Sequence, residues 1–185
     1  VRRYGADIEW LPFDLHPEYP PDGVSRASLA TRYGPDFEDR TRRLVEGAGF
    51  HYEPSQRVPR SLGALQLAEL ARAEGRHADV HARLFTAYWS QGQDIGDLGV
   101  LAGIAGAAGL DPDKARAALE SDAYADQVRV STRAAARVGV TGVPAWVVDD
   151  TVLVPGAQPH EVFDEVMAEL GYPAGSPGEE RPGAG

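Results

Sequence analysis

The 185-residue chain contains no cysteine, a single methionine and three tryptophans. Without a thiol it can form no structural disulfide, no thiolate metal site and no cysteine nucleophile of its own. The absence also fits a reducing compartment, so a cytoplasmic setting is the expectation. Basic residues are in short supply: 18 Lys and Arg stand against 28 Asp and Glu, for a net charge of −10. Phosphate backbones and anionic lipid surfaces need a basic face, so neither nucleic acid nor a membrane is an expected partner. The excess of negative charge reads most simply as a solubility device. No apolar run approaches the roughly 20 residues of a membrane span. Val1-Arg2-Arg3-Tyr4 has a basic pair but no apolar stretch behind it, so it is not expected to be a signal peptide.

What is present is ordinary for a folded domain: 43% hydrophobic and 25% charged residues, on a chain long enough to bury a core. Residues 7–13 combine Ile8, Trp10 and Phe13 in a pattern that predicts one short strand ending near Pro12, followed by a loop holding Pro17, Pro20, Pro21 and Gly23. Helical spacing then dominates. A short helix is expected from Ser25 to Tyr33, and a second with Phe37, Leu44 and Val45 on one face, stopped by Gly47 or Gly49. Residues 50–60 carry Pro54 and Pro59 and read as a connection. Ser61 opens a helix with Leu62, Leu65 and Leu70 inward, halted at Gly75. His77, Val80, Leu84, Phe85 and Tyr88 form a stripe that predicts a helix over 77–91. Asp97 caps the next helix, which ends at Gly109. Asp111-Pro112 is the expected cap and first position of another, and Ser121 opens a last long one ended by Gly139.

The period then changes. Ala145-Trp146-Val147-Val148 and Thr151-Val152-Leu153-Val154 are expected strands of a hairpin turning at Asp149-Asp150, with Pro155-Gly156 closing it. A final helix from Pro159 presents Val162, Phe163, Val166 and Leu170. Residues 172–185, rich in Pro and Gly, are expected to be a disordered tail. A lone early strand cannot bury itself, so it is expected to join the hairpin in one sheet, with the helices as an insertion.

Several segments in sequence order carry a resemblance. Gly139-Val140-Thr141-Gly142-Val143-Pro144-Ala145-Trp146 enters the hairpin and Val154-Pro155-Gly156-Ala157-Gln158-Pro159 leaves it. Trp10-Leu11-Pro12-Phe13-Asp14-Leu15-His16-Pro17, Leu84-Phe85-Thr86-Ala87-Tyr88-Trp89 with Gly92, Asp94 and Ile95, and Gly109-Leu110-Asp111 precede them. From about residue 7 to 170 the chain resembles the DsbA-like thioredoxin-fold family, in particular its FrnE-like subgroup. The resemblance implies an α/β fold: a thioredoxin-like, DsbA-type sheet with a large all-helical insertion. Residues 7–24 with 139–171 would form the thioredoxin-like part, and 25–138 the insertion.

The resemblance also implies a cis Pro144, with Gly142, Val143 and Pro144 forming the substrate-binding loop, where Val143 offers its backbone to an extended peptide or to glutathione. His16 and Trp146 are candidate groove-lining residues. The family's activity is thiol–disulfide exchange by a Cys-x-x-Cys motif at a helix start, where the helix N-terminus stabilises the thiolate. Here the chain enters at what corresponds to the second strand, so the first β-α unit is expected to be missing and the 185 residues to be inactive in thiol exchange. Protein thiols and disulfides, or glutathione, are the implied substrates. The alternatives are a noncatalytic module binding extended peptides, and a glutathione-dependent isomerase or transferase using serine.

Other motifs read more blandly. His77 and His81 share a helix face, but Ala78-Asp79-Val80 between them lacks the glutamate of a His-Glu-x-x-His site, and no metal is expected. The glycine clusters at 47–49 and 103–109 lack the Lys-Ser/Thr of a phosphate loop, and no cofactor is expected. No Ser-His-Asp arrangement stands out.

Overall fold

The computed structural model describes residues 4–172. The residues separate into two compact units. One combines the chain up to Leu11 with Ala134 onward, and the other is Pro12–Arg133.

The larger, helical unit opens with a minimal antiparallel ladder, β1 (Val24–Ser25) on β2 (Arg57–Val58), pairing Val24 with Val58 and Ser25 with Arg57. Glycine is needed just before it. Gly23 has φ +70°, and a Cβ there would lie 2.2 Å from the Val58 carbonyl oxygen. Arg57 locks the same corner, its Nε donating to the Asp22 carbonyl at 2.8 Å and its Nη2 to that of Gly23 at 2.9 Å. Between the two strands run α1 (Ala27–Tyr33) and α2 (Phe37–Gly47). Then come α3 (Leu62–Ala73), α4 (His77–Phe85), α5 (Leu98–Ala107), α6 (Pro112–Glu120) and α7 (Ala125–Arg137), the last running past the unit's end. The caps foreseen from sequence form. Asp97 Oδ1 accepts from the Val100 N–H at 2.9 Å, and Asp111 Oδ1 accepts from Asp113 and Lys114 at 2.9 and 3.2 Å. Gly109, with φ +82°, and Leu110 close α5 by donating to Gly106 and Ala105, the reciprocal pattern of a Schellman stop.

Helix α3 is the axis of this unit. Leu67 and Ala71 are fully buried and pack with Val80, Leu84, Leu101, Ala105 and Ala115. Two polar side chains are buried with them. Gln66 donates to Asp122 Oδ1 at 2.9 Å and accepts from the Tyr124 N–H at 3.2 Å. Glu69 accepts from Arg72 at 3.2–3.3 Å and from Gln127. This explains why α7 begins at Ala125 rather than at Ser121. Ser121 ends α6 by donating to the Ala117 carbonyl, Asp122 turns at φ +52°, and Gln66 holds the turn from the core. The helix expected over 77–91 likewise changes character, widening into a π-turn over Thr86–Ser90. The Trp89 carbonyl there accepts from the Glu53 N–H at 2.7 Å, a long-range bond that the helical periodicity does not encode.

The second unit, called here the hairpin unit, holds β3 (Ala145–Val148), β4 (Val152–Pro155) and α8 (His160–Glu169). The strands pair antiparallel, Ala145 with Pro155 through Val148 with Val152. Asp149 and Asp150 turn at φ +53° and +55°, and Thr151 donates back to the Val148 carbonyl at 3.1 Å. Thr151 therefore belongs to the turn, and β4 starts one residue later than its propensity predicts. The strand expected over 7–13 does not form: residues 6–14 have no regular secondary structure. Among the described residues β3 pairs only with β4, and residues 7–13 do not join that hairpin. The predicted tail lies, apart from Tyr172, outside the described residues. Among those described, no helix is long and apolar enough to cross a membrane.

Candidate substrate-binding loop

Gly142, Val143 and Pro144 connect α7 to β3. The Val143–Pro144 peptide bond is cis, and the Pro144 carbonyl accepts from the Gly156 N–H at 2.8 Å, extending the hairpin by one bond. Val143 is 52% exposed. Among the described residues no backbone hydrogen bond uses its amide or its carbonyl. Gly142 has open space where a Cβ would stand, so nothing crowds the loop from that side.

Trp146 lies two residues on, in β3. Its ring meets Phe163 of α8 edge-on at 5.4 Å and lies 6.0 Å from Trp10. Its indole N–H is buried without an acceptor among the described residues, a state that costs about 1–3 kcal/mol. Strand alternation puts Val147 on the opposite face, where it is 46% exposed. Trp146 is thus a packing residue of the hairpin unit, tied to α8.

His16 belongs to the helical unit and is tied down there. Its Nδ1 lies 3.1 Å from Glu18 Oε1, its Nε2 2.9 Å from the Tyr33 hydroxyl, and its ring stacks on Tyr19 at 4.4 Å. The Glu18 carboxyl is held below its usual range, first by a backbone N–H and further by His16 and Arg32. Burial pushes the Tyr19 phenol up. His77 and His81 stack at 5.5 Å, but Arg72 Nη2 lies 3.3 Å from His77 Nε2, where it opposes a bound cation. Among the described residues no group of three or more His, Asp or Glu could hold a metal ion. Sequence reasoning missed Arg26. It is a basic residue 8% exposed, with nothing in its neighbourhood in sequence to mark it, because its partners Tyr52, Ser55 and Tyr88 come from distant segments.

A helix running into a cis-proline loop, then a β-hairpin and a helix, is the arrangement that the thioredoxin-like resemblance implies. The sequence model of the DSBA-like thioredoxin domain matches residues 1–168, and the chain belongs to that family. It is 27% identical over 172 residues to the uncharacterized protein YwbO of Bacillus subtilis (strain 168), covering 91% of this chain and 84% of that protein. Its structure is similar to the crystal structure of the probable DsbA oxidoreductase SCO1869 from Streptomyces coelicolor. The TM-score is 0.81 and the identity 30%, over 98% of this chain and 80% of that one. The fold is therefore α/β and DsbA-type, rich in helix, as the resemblance implied.

Proposed function

We infer that these residues are the substrate-holding part of a DsbA-like thiol–disulfide oxidoreductase, with Gly142, Val143 and Pro144 as its peptide-binding loop. The observation that carries this reading is Val143, exposed at the entrance to β3 with its amide and carbonyl unused among the described residues. An extended peptide laid beside it can donate to one group and accept from the other, as an added strand does. In this reading residues 7–24 with 139–171 are the thioredoxin-like part and 25–138 the helical insertion. The substrates are protein thiols and disulfides or glutathione, and the setting is the cytoplasm.

Exchange proceeds by attack of a thiolate on a disulfide sulfur through a mixed disulfide. The 185 residues have no cysteine, so they orient a substrate and do not cleave it; a reacting dithiol has to come from outside them. The same fact favours a second reading, a noncatalytic module that binds extended peptide at Val143.

Alkylation and intact-mass measurement of the protein from its natural source separates the two. A mass above 19.8 kDa with two alkylated thiols, together with reduction or oxidation of a model disulfide substrate, supports the oxidoreductase. A thiol-free protein that shifts the Val143 amide resonance on adding an extended peptide is the binding module. A protein with neither thiols nor such a shift overturns both.

A further inference from the structure

The helical unit holds a cavity of about 210 Å³ where the starts of α3 and α5 meet the end of α6 and the turn at Asp122. It is smaller than the roughly 300–1,000 Å³ of sites for drug-sized molecules, so it suits a ligand of a few heavy atoms. Most of its wall is apolar, with Leu62, Leu98, Leu101 and Leu119 lining it.

Three polar side chains share the lining, and two of them answer one another. Gln66 Nε2 donates to Asp122 Oδ1 at 2.9 Å, and Gln66 Oε1 accepts from the Tyr124 N–H at 3.2 Å. Arg60 is the third. Its Nε is sealed from solvent and has no acceptor among the described residues. None of the arginine ion pairs among those residues includes it. Two other arginines of the unit show what is missing. Arg26 Nε donates to the Ser55 carbonyl at 2.7 Å, and Arg57 Nε to the Asp22 carbonyl at 2.8 Å. A cationic donor that has lost water without gaining an acceptor is destabilising, and an oxygen brought to it recovers that loss.

We propose that this cavity binds a small monocarboxylate with a short, branched apolar tail. Its carboxylate takes the Arg60 fork, one oxygen accepting from Nε and the other from a terminal nitrogen. Its tail lies against Leu98, Leu101 and Leu119. The single unanswered group selects the ligand. A neutral molecule forgoes the charge-assisted bond to Arg60. A dicarboxylate has to place its second charge among the leucines or beside Asp122, and both are unfavourable. An inorganic anion leaves the leucines uncovered. None of these residues belongs to the loop at Val143, and binding involves no thiol.

Calorimetric and amide NMR titration of the whole chain with isovalerate, isovaleramide and glutarate tests it. Isovalerate is expected to bind and to shift the amide resonances of Gly63 and Gly96, two further residues of the wall. The uncharged amide and the doubly charged glutarate are each expected to bind at least about tenfold more weakly. Arg60→Gln, with its fold checked by circular dichroism, is expected to weaken isovalerate about tenfold and to leave isovaleramide unchanged. Arg43→Gln, at an exposed arginine of α2, is expected to change neither. The comparison of ligands on the unaltered chain stands whether or not the Arg60 variant folds. Isovaleramide or glutarate binding as tightly as isovalerate overturns the proposal. So does absence of isovalerate binding up to about 10 mM, a set of shifts that spares both glycines, or an equal loss on Arg43→Gln.

Discussion

The two units bury their apolar residues to different degrees. In the helical unit Leu67, Val80, Leu101 and Val128 are 0–1% exposed, and α3 is buried around most of its circumference. In the hairpin unit Val140 and Val154 are buried, but Ile8, Trp10, Leu11, Val138, Val143 and Val147 are 39–67% exposed, and α8 has no buried residue. Helices α4, α5 and α6 packed on α3 satisfy their own backbone and can close a core locally. A two-stranded sheet has one ladder and offers α8 a surface only two strands wide, and such a hairpin is at best marginal without further strands or packing. The unit that carries the candidate binding loop is thus the one with the least closed core, which suits a surface that accepts a strand from a substrate.

That contrast can be broken by mutation. Leu67→Ala is expected to cost about 2–5 kcal/mol, because it opens a cavity among helices that cannot collapse onto it. Val154→Ala in the hairpin unit should cost clearly less, and equal losses in urea melts would mean that the hairpin unit has a core as closed as the helical one. Gln66→Leu comes next, at about 1–3 kcal/mol, because it leaves Asp122 and the Tyr124 N–H without their buried partner. Asp97→Ala removes the cap of α5 and should cost about 1 kcal/mol. Val147→Lys, on the exposed face of β3, should stay within about 0.5 kcal/mol.

A pH dependence sharpens the same comparison. Burial holds His77 and His81 below the ordinary 6.5, with Arg72 adding to the effect on each and Glu69 opposing it at His77. Their folded values are lowered, so the fold favours the neutral rings. The stability they contribute is intact above 6.5, begins to be lost as pH falls through that unfolded value, and is gone below the folded values. Denaturant melts at about pH 7.5 and about pH 5.5 should show the helical unit weakening, and His81→Phe should reduce the difference. An unchanged difference would assign it to other groups.

Much of the helical part is readable in the sequence. Asp97, Asp111 and Gly109 act within a turn of their own position, and the stripe through Val80 and Leu84 is periodic in the sequence itself. The loop at 142–144 was singled out through the family resemblance rather than by its own residues. Arg26 and Glu69 were not legible: a charged residue in a helical stretch reads as solvent-facing unless its distant partners are known. The same holds for His16, whose hydrogen bond to Tyr33 crosses 17 residues.

By itself the sequence determined the caps of α5 and α6 and the stop at Gly109, where the chain switches to a hairpin, and that no thiol chemistry resides in these residues, because each depends on local backbone preference or on composition. Only the tertiary structure decided that residues 7–13 stay out of a ladder, that Val24 meets Val58, that the Trp89 carbonyl accepts from the Glu53 N–H, and that Glu38 pairs with Arg26. Each of these depends on which distant groups are present to pair, and pairing across many residues leaves no local periodic trace.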